Sequence, residues 1–145
     1  MGRIVGAMLV ISLGFIVGCV RTPAPTGLHA AEIENLSRFL SDDGRQIFLQ
    51  NTSVGDQAML LLHDPVFSNL EVLNLQYTRV TDEGISYLRG LPIKAISLHG
   101  TKITDAGLIH LQELPVDMVV ISGTAVTKEG AERLSRELPE ALVIY

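Results

Sequence analysis

The chain has 145 residues, which is enough for one domain of ordinary size but not for two. It carries 11 Lys and Arg residues against 16 Asp and Glu residues, so its formal net charge is −5 at pH 7. Nucleic acids and anionic lipid surfaces both require a basic face on their partner, and we therefore expect neither as a ligand.

Residues 1–18 have the pattern of an export signal. Arg3 lies in a short basic start, and the fourteen residues from Ile4 to Val17 carry no charge. This stretch is short for a bilayer span, which needs about 20 apolar residues. The segment from Ile16 to Cys19 resembles a bacterial lipobox, in which a small residue precedes the cut and the cysteine thiol receives a diacylglycerol.

Lipidation at Cys19 is the prediction that follows, because this is the only cysteine in the chain. Two alternatives remain: a plain secretory signal in which Cys19 is incidental, and an uncleaved anchor helix. Two acyl chains anchor a protein stably where one would bind marginally. We therefore expect an exported protein, lipid-anchored to a membrane of the bacterial cell envelope on its periplasmic or outer-surface side.

Residues 19–28 are predicted to form an extended tether, since they are rich in Pro, Thr and Gly and have no apolar period. Residues 29–45 are predicted to hold a capping helix that covers the open end of the next unit. Its acidic residues disfavour the alternative, a helix lying on anionic lipid. The apolar residues of this helix recur at helical spacing: Ile33, Leu36, Phe39 and Leu40.

Residues 46–145 are predicted to be a repeat array. The segments VTDEGISYLRGLP (80–92) and ITDAGLIHLQELP (103–115) are near copies, 23 residues apart. Alignment on a threonine extends the array to four units, with spacings of 26, 23 and 23 residues. The first unit therefore carries a three-residue insertion, which we place between His63 and Asn69. The four threonines are Thr52, Thr78, Thr101 and Thr124.

Each unit is predicted to hold one short strand and one short helix. Alternation places Leu73 and Leu75 in the core and their neighbours on the opposite side of the strand. Helix N-caps are expected at Thr81, Thr104 and Thr127. A glycine follows in the first turn of each helix, where it costs roughly 0.5–1 kcal/mol relative to alanine, so we expect close packing there. These glycines are Gly84, Gly107 and Gly130.

The shared pattern LxxLxLxxTxVTDxGLxxLxxLP resembles a leucine-rich repeat, nearest to the cysteine-containing class of F-box substrate adaptors and related bacterial repeats. The resemblance covers Gln46 to Tyr145 and implies an α/β solenoid of about four repeats, with a parallel sheet on the concave face and helices on the convex face. It also implies that threonines such as Thr78 join successive coils, as cysteine or asparagine does in that class. Gly55 departs from the pattern, which expects a capping threonine there.

A final strand is predicted from Ala141 to Tyr145, and its register stays open. Either Val143, or Leu142 together with Ile144, faces the core. An uncovered edge on this strand would be a pairing site, so a homo-oligomer through the C-terminal edge strand is a possible assembly.

The sequence carries no pattern of catalytic residues that we can recognise. His63 lies with Asp64 in the insertion, far from a nucleophile, and His110 falls on an exposed helical position. His99 has no acid at the same height in the neighbouring repeats. No CxxC, HExxH, phosphate-loop or GxSxG motif occurs. We therefore expect a protein that is not an enzyme and needs neither cofactor nor metal.

The exposed strand positions predict a protein-binding surface on the concave sheet face. Amide side chains lie between apolar ones there, although the apolar residues could instead serve strand propensity alone or be covered by the tether. The function expected is a non-catalytic binding scaffold, and the alternatives are a self-associating structural component and an enzyme. The candidate ligand-binding residues are Phe48, Gln50, Val72, Asn74, Gln76, Ser97, His99, Met118, Val120 and Ser122.

Replacement of the lipidation site provides the first test. We expect Cys19→Ser to release the protein into the soluble fraction or to leave an uncleaved precursor, because the thiol is the only attachment point for acyl chains. Membrane fractionation and mass spectrometry of the N-terminal peptide measure both outcomes. A wild-type protein that is soluble and has an N-terminus free of lipid would show that the lipobox interpretation is wrong.

Overall fold

The structure, a computed structural model, describes residues 28–145. The predictions for residues 1–27, including lipidation at Cys19, lie outside the described residues. Among the helices of the described part, none combines the length and the apolar character that a membrane crossing demands.

Five parallel strands form one sheet in the order of the sequence, and each pairs with the next without a register shift. The middle residue of each strand points toward the core, as alternation predicts. The strands are β1 (Gln46–Phe48), β2 (Val72–Asn74), β3 (Ala95–Ser97), β4 (Met118–Val120) and β5 (Leu142–Ile144).

Helices alternate with these strands, so the fold is α/β and agrees with the predicted short solenoid. A short 3-10 helix, Pro65–Phe67, lies within the predicted insertion, and Phe67 is fully buried. The insertion therefore contributes to the core. The α-helices are α1 (Leu28–Ser37), α2 (Asp56–Leu61), α3 (Asp82–Ser86), α4 (Leu108–Leu111) and α5 (Lys128–Glu137).

The first helix packs where a cap is expected, but with different bounds. Helix α1 begins at Leu28, and within it Leu36 is 6% exposed and joins the core. The chain then pairs antiparallel with β1: Phe48 N–H donates to Phe39 O at 3.1 Å. This pairing explains why the helix stops early and why Phe39 is exposed. It also covers the outer edge of β1.

The register of β5 is settled by its pairing with β4. Val143 pairs with Val119 and packs against the core, whereas Leu142 and Ile144 are exposed on the other side. The sheet thus continues in the same phase from β1 to β5.

The resemblance implied that the threonine side chains join successive coils, and this expectation is wrong. The Thr78 hydroxyl donates to Leu75 O at 2.7 Å, within its own unit. The other three threonines bond in the same way, because each turn brings its own strand carbonyl within reach. Backbone bonds join neighbouring units at this level, as in Tyr77 N–H to His99 O at 2.9 Å.

A carboxylate clamp joins successive units on the helical side. Asp82 accepts two hydrogen bonds from Thr104, from the backbone N–H at 2.7 Å and from the hydroxyl at 2.6 Å. Charged acceptors make stronger hydrogen bonds than neutral ones, so this paired contact is a firm link between units. The same clamp occurs three times: Asp56 with Thr81, Asp82 with Thr104, and Asp105 with Thr127.

The clamp explains the repeated glycines, and the prediction of close packing is confirmed. A Cβ at Gly107 would overlap Oδ1 of Asp82, and the same holds for the equivalent glycine in the two other clamps. The aspartate can approach only because the next helix begins without a side chain at that place.

The threonine caps are also part of the clamp. Thr81 and Thr127 accept a hydrogen bond from the first turn of α3 and α5, as predicted for N-caps. Thr104 accepts from Ala106 N–H at 3.2 Å, but α4 begins only at Leu108, later than predicted. Each threonine hydroxyl therefore donates a hydrogen bond to an aspartate of the preceding unit and accepts one from a backbone N–H of its own turn.

We expect Gly107→Ala to lower the free energy of unfolding by about 1–3 kcal/mol, because the added methyl group overpacks the Asp82 clamp. In an Asp82→Ala background the same change should become neutral or stabilising, since alanine is the better helix former. Urea unfolding of the four proteins measures this coupling. Gly55→Ala is the control, because its Cβ meets nothing within 4 Å. Additive effects of the two substitutions would contradict the clamp.

The pH dependence of stability tests the third clamp. Hydrogen bonds from the Thr127 hydroxyl and backbone N–H hold the pKa of Asp105 below its ordinary value of 3.8. A carboxyl group with a lowered folded pKa stabilises the protein above its unfolded pKa, and this contribution is lost as the pH falls through the folded pKa. We expect Asp105→Asn to lower the melting temperature at neutral pH and the difference from wild type to shrink below about pH 4. A difference that is constant from neutral pH into acid would contradict this.

Candidate functional site

The sheet face opposite the core brings the predicted binding residues together. The strand pairing places Phe48, Asn74, Ser97 and Val120 in one row across the sheet. Val72, Ala95 and Met118 form a second row. Four further candidates lie two residues after the strand ends: Gln50, Gln76, His99 and Ser122. We call this whole surface, with Leu142 and Ile144 of β5, the strand face.

Hydrogen bonds connect the polar side chains of the strand face across units. Gln76 donates through Nε2 to Ser97 Oγ at 2.8 Å. His99 bonds through Nδ1 to Ser122 Oγ at 2.9 Å and through Nε2 to Tyr77 Oη at 2.6 Å. These groups are held in place by one another, so the surface is organised before any partner arrives.

Tyr77 is a residue of this site that the sequence analysis missed. Its ring meets the His99 ring edge to face, with centroids 4.9 Å apart, and 55% of its surface is exposed. Its backbone φ is +54°, a region that bulky residues rarely adopt. The equivalent positions before the other threonines hold Asn51, Gly100 and Gly123, all with positive φ. Comparison of these four positions is the sequence signal that could have singled out Tyr77.

The strand face is apolar at its β5 end. Met118 is 41% exposed, and its partner in register, Leu142, is 55% exposed. Ile144 continues the surface beside the half-buried Val120. Large apolar side chains left exposed side by side are typical of a contact surface rather than of a strand that only faces water.

No Asp, Glu, Lys or Arg side chain occurs among the described residues of the strand face. Charged residues instead precede the strands, where Glu71 pairs with Lys94 at 2.9 Å and with Arg45 at 3.7 Å. The hydrogen bond from Lys94 holds the pKa of Glu71 below its ordinary value. The charged residues at this border of the strand face largely pair with one another. The centre of the strand face carries no charged side chain.

The histidines and carboxylates elsewhere do not converge on a second site. His63, which the sequence places in the insertion, bonds through Nε2 to Tyr87 O at 2.7 Å. Within residues 28–145 no group of three or more His, Cys, Asp or Glu residues is arranged to hold a metal ion. A groove of about 470 Å³ lies between α1 and α2, beside Phe39 and Leu61.

Comparison with known proteins agrees with the fold. Residues 68–88 match the family model described as Leucine Rich repeat, a stretch that contains β2 and α3. The search of curated proteins gave no match. This match, the five-stranded parallel sheet and its alternating helices all agree with the predicted short leucine-rich-repeat solenoid. Such repeats are generally protein-interaction modules.

Proposed function

We propose that this chain is a non-catalytic protein-binding scaffold of the bacterial cell envelope, which is lipid-anchored through Cys19 and binds its partner on the concave strand face. The observation that carries the proposal is the strand face itself. It combines exposed apolar side chains, a hydrogen-bonded polar centre and no formal charge. Protein interfaces are depleted of charge at their centre and enriched in aromatic residues and methionine.

The size of the strand face sets the strength of binding. Strands lie about 4.8 Å apart, so five of them span roughly 20 Å. A standard interface buries about 800 Å² on each partner. The strand face is smaller than that, so we expect weak binding unless the partner also contacts the sheet border. Anchoring to a membrane would raise the local concentration and compensate for low affinity.

The envelope location rests on the sequence of residues 1–19. A lipid attached at Cys19 would leave a tether up to about residue 28 between the membrane and α1. The binding domain would then stand at the membrane surface, where its partners would be other exported or membrane-bound proteins.

Two triple variants test the strand face as the binding surface. Changing Asn74, Gln76 and His99 to alanine should abolish capture of the native partner and leave the circular dichroism spectrum unchanged, because these side chains do not enter the core. Pull-down from native membranes, followed by mass spectrometry, measures capture.

The matched control lies on the helical side. Arg89, Gln112 and Arg133 are exposed there, and surface ion pairs such as Arg89 with Glu113 contribute little to stability. Changing these three residues to alanine should leave capture intact. If the helical variant abolished capture and the strand-face variant did not, the binding surface would be the convex side.

Self-association through the edge of β5 is the second candidate, and the exposed Leu142 and Ile144 favour it. In this case the partner is another copy of the chain, so the assembly should be a dimer or larger. Light scattering on the purified protein distinguishes the two candidates, since the scaffold function requires no oligomer.

A further inference from the structure

Tyr77 adopts a backbone conformation that is unfavourable for a residue with a Cβ atom. A residue with a Cβ in the left-handed region is strained and persists where the surroundings hold it in place. Three of the four equivalent positions hold Asn or Gly, which tolerate positive φ. The side chain of Tyr77 is nevertheless more than half exposed, so its burial compensates little for the strained backbone.

The Tyr77 ring packs against the next repeat. A Cβ on Gly100 would lie 2.6 Å from Cδ1 of Tyr77, so the ring rests on the glycine turn. His99 fixes the ring from the side through the hydrogen bond and the edge-to-face contact. The tyrosine is therefore held rigidly at the border of the strand face with part of its surface free. Tyrosine is among the residue types enriched at the energetic hot spots of protein interfaces.

We infer that Tyr77 is the anchor residue of the strand face and that its occupant is an uncharged, extended peptide segment of the partner. This inference rests on the proposed function and specifies the chemistry of the same site.

The absence of charge on the described strand face favours an uncharged occupant. A charged side chain placed against Val120, Met118 or the amide of Gln76 would lose water without gaining an opposite charge, which is costly. An uncharged segment loses less, and its backbone groups can bond to the side chains of Gln50, Gln76 and Ser122.

The spacing of the strand face favours an extended segment. The strands lie about 4.8 Å apart, so the strand face extends across roughly 20 Å of sheet. An extended peptide rises about 3.3 Å per residue, so a segment of about six residues spans the face from β1 to β5. One end of the segment would then lie near Phe48 and the other end near Leu142. Both of these residues are exposed.

Selection from a library of random dodecapeptides displayed on phage tests the inference, with the full chain immobilised as bait. We expect enriched peptides that contain an uncharged run of about six residues, and binding that changes less than twofold between low and high salt, because no ion pair forms. Tyr77→Gly should weaken the binding of these peptides about tenfold or more, as loss of an anchor does. Tyr87→Phe is the control on the helical side and should bind as wild type does.

Thermal melts show whether loss of binding reflects misfolding. Tyr77→Gly and Tyr77→Ala both remove the ring, and only the glycine relieves the positive φ, so the glycine variant should melt at the higher temperature. If both variants bind equally weakly at a temperature below both melting transitions, the loss of binding reflects the missing ring and not misfolding.

The outcomes separate this inference from the proposed function. Peptides that bind the wild type and Tyr77→Gly equally, but not the Asn74, Gln76 and His99 variant, would overturn the anchor and leave the scaffold function standing. Enriched peptides that are charged and salt-sensitive would overturn the uncharged occupant. Peptides that ignore the strand-face variant altogether, or no enrichment at all, would count against both.

Discussion

The fold depends on the contact between an aspartate of one repeat and a threonine of the next. Each repeat is too short to bury its own apolar face, so stability must come from the junctions between repeats. The clamp of Asp82 on Thr104 fixes such a junction at the start of a helix, where backbone N–H groups lack partners. Gly107 is required for it, since any side chain there would displace the carboxylate. The three residue types therefore act as one unit, repeated at three junctions.

Much of the fold follows from the sequence because the repeat imposes one phase on every unit. The threonine alignment places the strands, their buried residues and the short helices, and the crowding of Gly84 and its equivalents also follows from their cost in a helix. The residue that crowds each glycine, an aspartate of the preceding repeat, does not follow from the sequence. Asp82 is a normal residue for the first turn of a helix, and nothing local shows that it bonds to a threonine 22 residues later.

The other points that the sequence missed or left open also have physical causes. Thr78 bonds within its own turn because a hydroxyl is short and a strand carbonyl lies three residues back. The β5 register is ambiguous in sequence because no threonine follows that strand to set its phase, and pairing with β4 decides it. The rows of the strand face could be predicted by alternation. Tyr77 could be singled out only by comparing the four residues that precede the threonines, and its contact with His99 appears in the structure alone.

Hydrogen exchange at the threonine amides tests the role of the clamp most directly. The Thr104 amide belongs to an exposed residue outside the strands and helices, so without the clamp it would exchange like an open loop. If the clamp holds the repeats together, the amides of Thr81, Thr104 and Thr127 should be protected as strongly as those of the sheet and exchange only with global unfolding. Asp82→Asn should lower the protection of Thr104 first. Rapid exchange of Thr104 in the wild-type protein, with the sheet amides protected, would contradict the account.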